Sequence, residues 1–130
     1  MDFEPLQVAH QYVQLINTGE WERVGELFAE DAVVHGPTGA VLRGRDEIAR
    51  FYTDRTSRVA PNIWIVSSTT EGNRCVFELS ARMSGAPDGP MKTVVDHFTF
   101  NEQGQIKRFV FYGRPTDSSW SADPPNRQAE

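Results

Sequence analysis

One cysteine, Cys75, stands among 130 residues, so an internal disulfide is excluded. No stretch approaches the roughly 18 consecutive apolar residues that a membrane-spanning helix requires. The first twenty residues lack the charged start and apolar run of a secretory signal, and the expected location is cytoplasmic. Positive charge is in the minority: 13 Lys and Arg face 18 Asp and Glu, for a formal charge of −5 and a pI near 5.2. Nucleic acid and anionic membranes both demand a basic face, so neither is expected as a main partner. A small molecule or another protein is. The three histidines, His10, His35 and His97, are scattered, and no carboxylate or cysteine lies at ligand spacing beside them, so no metal site is expected. Serine-nucleophile elbows, phosphate-binding loops and dinucleotide fingerprints are also missing, and no cofactor is expected. Gly36-Pro37-Thr38-Gly39 reads as a turn, and Cys75 as a small buried apolar residue at the start of a strand.

What the chain does have is a change of period near its middle. At 130 residues it is long enough for one domain that closes a pocket around a small ligand. Leu6, Ala9, Tyr12, Val13 and Ile16 form a helical stripe over positions 5–17, ending near Gly19, a residue suited to a C-terminal cap. Trp21, Val24, Leu27 and Phe28 form a second, shorter stripe that ends at Glu30-Asp31. Positions 32–36 read as a strand, 37–39 as a turn and 40–42 as a return strand; a third helix after Gly44 carries Ile48, Phe51 and Tyr52. Beyond it, positions 62–67, 74–83, 91–100 and 105–112 read as strands. The junctions at 71–73, 84–90 and 101–104 carry the Gly, Pro and Asn of hairpin turns. Helices first and antiparallel strands after is an α+β order. The tail, 114–130, holds Arg114-Pro115, Asp123-Pro124-Pro125 and the single anchor Trp120, and reads as extended or disordered. No internal repeat is present.

One strand contains a residue out of keeping with its row. Two-residue alternation in Lys92 to Phe100 puts Val94, Asp96, Phe98 and Phe100 on one face and Thr93, Val95, His97 and Thr99 on the other. An ionised carboxylate among such neighbours loses hydration worth several kcal/mol. Asp96 must therefore find a cation, gather hydrogen bonds, or keep its proton and act as a donor. Tyr12, on the inner side of the first helix, is the other polar group in an apolar stripe. Two readings stand side by side. Asp96 caps a turn or pairs with an arginine while Tyr12 is a core tyrosine whose hydroxyl reaches water; or the two converge on one ligand oxygen as paired donors.

The order of segments resembles the nuclear transport factor 2-like superfamily, and more closely its ketosteroid isomerase and SnoaL-like branch. The resemblance is carried by Tyr12-Val13-Gln14-Leu15, Leu27-Phe28-Ala29-Glu30-Asp31-Ala32, Leu42-Arg43-Gly44-Arg45-Asp46-Glu47-Ile48-Ala49-Arg50-Phe51-Tyr52, and the run from Val94-Val95-Asp96-His97 to Gln103-Gly104. It covers roughly residues 5 to 113. It implies a domain over 1–113 built as an α+β cone, with three N-terminal helices packed in a curved, mainly antiparallel mixed sheet, and a homodimer. It also implies roles. Tyr12 and Asp96 fall where the isomerases hold their oxyanion-hole tyrosine and protonated aspartic acid, a family that is itself a standard example of a carboxylic acid kept neutral at pH 7. Tyr52 matches a tyrosine that supports the first by hydrogen bonding.

The departures lie on the other side of the pocket. The aspartate that shuttles the proton in those isomerases falls at Gly36, which has no side chain. A family tyrosine is Phe28 here, and a pocket tryptophan falls at Gly113. His35 and His97 neighbour the right positions, but alternation turns each to the opposite face unless a bulge re-aims it. The expected apolar walls are Ile16, Phe28, Leu79, Met83, Val94, Phe109 and Phe111, with Gly36 at the missing base. The expectation is isomerase-like enolisation, or a related cyclisation or dehydration, of a small apolar compound with a carbonyl or phenolic oxygen. Loss of the base favours a non-catalytic binder of steroid-like or polyketide-like ligands. A pocket filled by its own side chains favours a protein-interaction module.

Overall fold

The computed structural model describes residues 2–36, 39–83 and 91–113. Helix α1, Pro5–Thr18, opens with a proline in its first turn and buries Ala9, Tyr12, Leu15 and Ile16 on one side. It stops at Gly19, whose φ of 72° is open to glycine at little cost; Gly19 N–H donates to the Ile16 carbonyl and Glu20 N–H to that of Leu15, a Schellman ending. Asn17 ties this end of the helix to the sheet. Its Nδ2 donates to the Ile63 carbonyl and its Oδ1 accepts the Ile63 N–H, both at 2.8 Å.

Helix α2, Trp21–Val24, tightens into a 3-10 turn, Gly25–Leu27, and strand β1 then runs Phe28–His35. The strand thus starts four residues before the expected position 32. Phe28 is already extended, with φ −100° and ψ 146°, because its side chain enters the core beside Ile106 of the last strand. Strand β2, Val41–Arg43, returns antiparallel to β1. Helix α3, Arg45–Phe51, continues as a π turn, Tyr52–Thr56, and a last turn, Ser57–Val59. Strands β3, Pro61–Glu71, β4, Arg74–Met83, β5, Lys92–Phe100, and β6, Ile106–Gly113, follow, within one or two residues of expectation except that β3 extends four residues further. The expected turn at 37–38, the loop at 84–90 and the tail at 114–130 with Trp120 lie outside the described residues.

The six strands form one mixed sheet in the order β2-β1-β6-β5-β4-β3, parallel only between β1 and β6. Alternation decides the core. Cys75, Phe77, Leu79 and Ala81 of β4 and Asp96, Phe98 and Phe100 of β5 are buried on the face that α1 and α3 cover. The curved cone is corrected: the sheet is not strongly curved, and the helices lie against it. Strong bending requires bulges that stack across neighbouring strands. Here the shift in β3, between Ile65 and Ser67, faces Leu79 and Glu78 in the middle of β4, whereas those of the β1–β6 and β5–β6 pairs, at Phe28/Val33 and Thr99/Phe100, fall at Ile106 to Arg108, at the start of β6. Their bends do not add.

Candidate functional site

Asp96 lies between Phe77 and Phe111 in register and is 2 % exposed. Among the described residues nothing gives its carboxyl a hydrogen bond or an ion pair. Desolvation accordingly raises its pKa well above the usual carboxylate range, which favours the protonated form. Neither an arginine partner nor a turn explains it.

Tyr12 and Tyr52 meet across α1 and the π turn, with their hydroxyls 2.8 Å apart. Both phenols are buried. Burial, then the Tyr52 and Asp96 charges, push the Tyr12 hydroxyl well above its ordinary range. Burial is also the main cause of the upward shift at Tyr52, with the Asp96 charge adding to it and the hydrogen bond from Tyr12 opposing it. Asp96 is thus close enough to act electrostatically on both phenols. Either hydroxyl can donate in the Tyr12–Tyr52 bond. When Tyr52 donates, the Tyr12 proton is free for a third oxygen, so the cluster offers two neutral donors, a phenol and a carboxylic acid, in a poorly hydrated place. Edge-on rings hold Tyr12: Phe98 at 5.4 Å and Phe109 at 6.0 Å between centroids.

A cleft of about 450 Å³ is lined by Val34, Gly36, Leu42, Phe51 and Phe111, with Glu47, Arg50, Asp54 and Arg55 along α3 and the π turn; Tyr12, Tyr52 and Asp96 are not among its walls and lie buried behind Phe111. Phe111 joins the two parts, since it is the β6 neighbour of Asp96 and a wall of the cleft. Of the walls expected from sequence, Phe111 and Gly36 line the cleft. Ile16, Phe28, Leu79 and Phe109 are packed into the core behind it, and Met83 and Val94 lie partly buried against that core. A Cβ added at Gly36 would meet the Phe111 ring at 3.5 Å, an ordinary contact, and the backbone there is not left-handed.

Neither histidine is re-aimed. His97 pairs in register with Val76 and Val110 on the face away from the helices, and His35 lines a different surface cleft with Val33, Arg43 and Arg108. Burial first, and then Arg108 and Arg74, lower the His97 pKa, and its Nε2 is buried with no hydrogen-bond partner among the described residues. Among the described residues no cluster of His, Cys, Asp or Glu could hold a metal ion, and no helix is long and apolar enough to cross a membrane. Sequence reasoning missed Glu47, Arg50, Phe51 and Asp54. Their i, i+3, i+4, i+7 spacing puts all four on one helix face, and that signal was available.

Residues 9–109 match the family model of the SnoaL-like domain. Among solved structures, the epoxide hydrolase/cyclase-like enzyme SalBIII of pyran ring formation in the polyether salinomycin superposes with a TM-score of 0.75 and 22% identity, over 87% of this chain and 92% of that one. A candidate ketosteroid isomerase from Kribbella flavida gives 0.75 and 18% identity over 94% and 83% of the two chains. A nuclear transport factor 2-like protein of unknown function from Cytophaga hutchinsonii gives 0.69 and 15% over 88% and 96%. At these identities the likeness speaks for the fold.

Proposed function

Because the chain belongs to the SnoaL-like domain family, within the nuclear transport factor 2-like superfamily, we propose that Tyr12 and Asp96 bind the oxygen of a small apolar carbonyl compound, steroid-like or polyketide-like, and stabilise its enolate. The observation that carries this reading is Asp96, a buried carboxyl without a partner among the described residues, its pKa raised by desolvation, beside a hydrogen-bonded phenol pair. A carboxylic acid that served only the fold would be expected to have a partner. In this reading Tyr52 supports Tyr12, and the ligand approaches from the cleft at Gly36 and Phe111, passing Phe111 to reach Asp96. Enolisation moves a proton from the carbon beside the carbonyl, and with glycine at position 36 no carboxylate stands there to take it. The parent is therefore slow at isomerisation, or binds without turnover. The cell compartment in this reading is the cytoplasm.

The same reading includes a homodimer, supported by Trp64, Val76 and Tyr112, which stand exposed on the sheet face opposite the helices.

Gly36→Asp tests the chemistry. The folded variant should isomerise a β,γ-unsaturated 3-ketosteroid about 10²- to 10⁴-fold faster than the parent, the ordinary contribution of one positioned base. A folded variant with no gain, together with a parent that binds no steroid, would overturn the isomerase reading.

A further inference from the structure

The cleft has two chemically distinct ends. Val34, Leu42, Phe51 and Phe111 make an apolar floor, while Arg50 and Arg55 stand at its exposed side. Of the two carboxylates there, Glu47 is engaged, its Oε1 accepting the Arg43 backbone N–H at 2.7 Å, while Asp54 is exposed and only 3.4 Å from a Thr53 hydroxyl that lies nearer the Ala49 and Arg50 carbonyls. Neither guanidinium has a hydrogen bond or ion pair among the described residues, although Asp54 is four residues from Arg50 and adjacent to Arg55. Two guanidinium groups without a partner among the described residues thus stand over an apolar floor on a chain of charge −5.

Local geometry brings them together. In a continuous α-helix Arg55, five residues after Arg50, would rotate toward the edge of the face that carries Glu47, Arg50 and Phe51. The π turn at Tyr52–Thr56 repeats at i to i+5 and turns Arg55 back over the cleft. The same turn delivers Tyr52 to Tyr12.

We propose that Arg50 and Arg55 bind a carboxylate at the outer end of the ligand, so that the substrate class is an amphipathic acid: an apolar body, an oxygen at the Tyr12–Asp96 end and an anionic group at the cleft mouth. This deepens the function proposed above and rests on it. A guanidinium offers paired N–H donors matched to a carboxylate, and the apolar floor removes some of the water that would otherwise screen the pair.

The test is a series of 4-hydroxyphenyl alkanoic acids of increasing chain length, each paired with its methyl ester, titrated calorimetrically into the whole protein. The phenol end is common to both members of a pair, and only the acid can use the arginines. At one or more lengths the acid should bind roughly tenfold tighter than its ester, with the preference falling as salt is raised. In Arg50→Gln/Arg55→Gln the acid should drop to the affinity of the ester. Both side chains are exposed, so that variant should fold, and the salt dependence in the parent is an independent readout. Esters and acids binding equally at every length would overturn the anionic end alone. Failure of both to bind, at all lengths, would remove the Tyr12–Asp96 oxygen site and this inference with it.

Discussion

Asp96 is where a single residue controls a measurable property of the whole. Its pKa is raised in the folded chain, so the native state keeps a proton that the unfolded chain has lost once pH passes the ordinary carboxylate range. The stability it contributes is fully present below that range and is lost as pH climbs toward the raised folded value, by at most about 1.4 kcal/mol per pH unit for one proton. Asp96→Asn is neutral at every pH and lacks this slope. Urea unfolding from about pH 4 to about pH 8 should therefore show the variant gaining on the parent as pH rises. Parallel profiles would mean that Asp96 is ionised in the fold. Alternation alone had set Asp96 among Phe98 and Phe100, so its burial was readable in advance. The absence of an arginine partner was not, because partners come from other strands.

At the level of elements, the informative join is between α2 and α3. Gly25 sits in helical backbone, with φ −60° and ψ −26°, where alanine would ordinarily be the better residue by roughly 0.5–1 kcal/mol. A Cβ there would stand 2.9 Å from the Ala49 Cβ. Overpacking of this kind costs about 1–3 kcal/mol, so the clash outweighs the propensity gain and Gly25→Ala should destabilise by about 1 kcal/mol net. Adding Ala49→Gly should recover part of the loss beyond simple additivity, as a double-mutant cycle in urea would measure. Additive losses would show that the two positions do not press on each other. This contact also accounts for the early end of α2. The apolar stripe through Leu27 and Phe28 suggested a helix as far as position 30, but close packing on α3 and the entry of Phe28 into the sheet turn the chain into β1 sooner.

On the scale of the molecule, the sheet has one face under helices and one without a cover among the described residues. The bare face carries Trp64, 39% exposed, Val76, 37%, and Tyr112, 57%, around the neutral His97. If two copies pair there, sedimentation of the parent should report twice the 14.7 kDa chain mass, and Val76→Lys should return it to one. A parent that sediments as a single chain at tens of micromolar would end the homodimer proposal. His97 adds no charge to this face near neutral pH.

Periodicity by itself determined the helices-then-strands order, the strand limits of β4 to β6, and which side of β5 is buried, because each depends on neighbours within a few residues of sequence. It also placed Tyr12 and Asp96 on inner faces. Tertiary structure alone decided the rest. The sheet stays without strong curvature because its register shifts fall at different levels of the sheet, which is a property of strand pairing and not of any one strand. The cleft lies along Gly36, Phe111 and the α3 face, while Phe28, Leu79 and Phe109 fill the core, because side chains from four or more elements compete for the same volume and only their joint packing settles which of them leaves space.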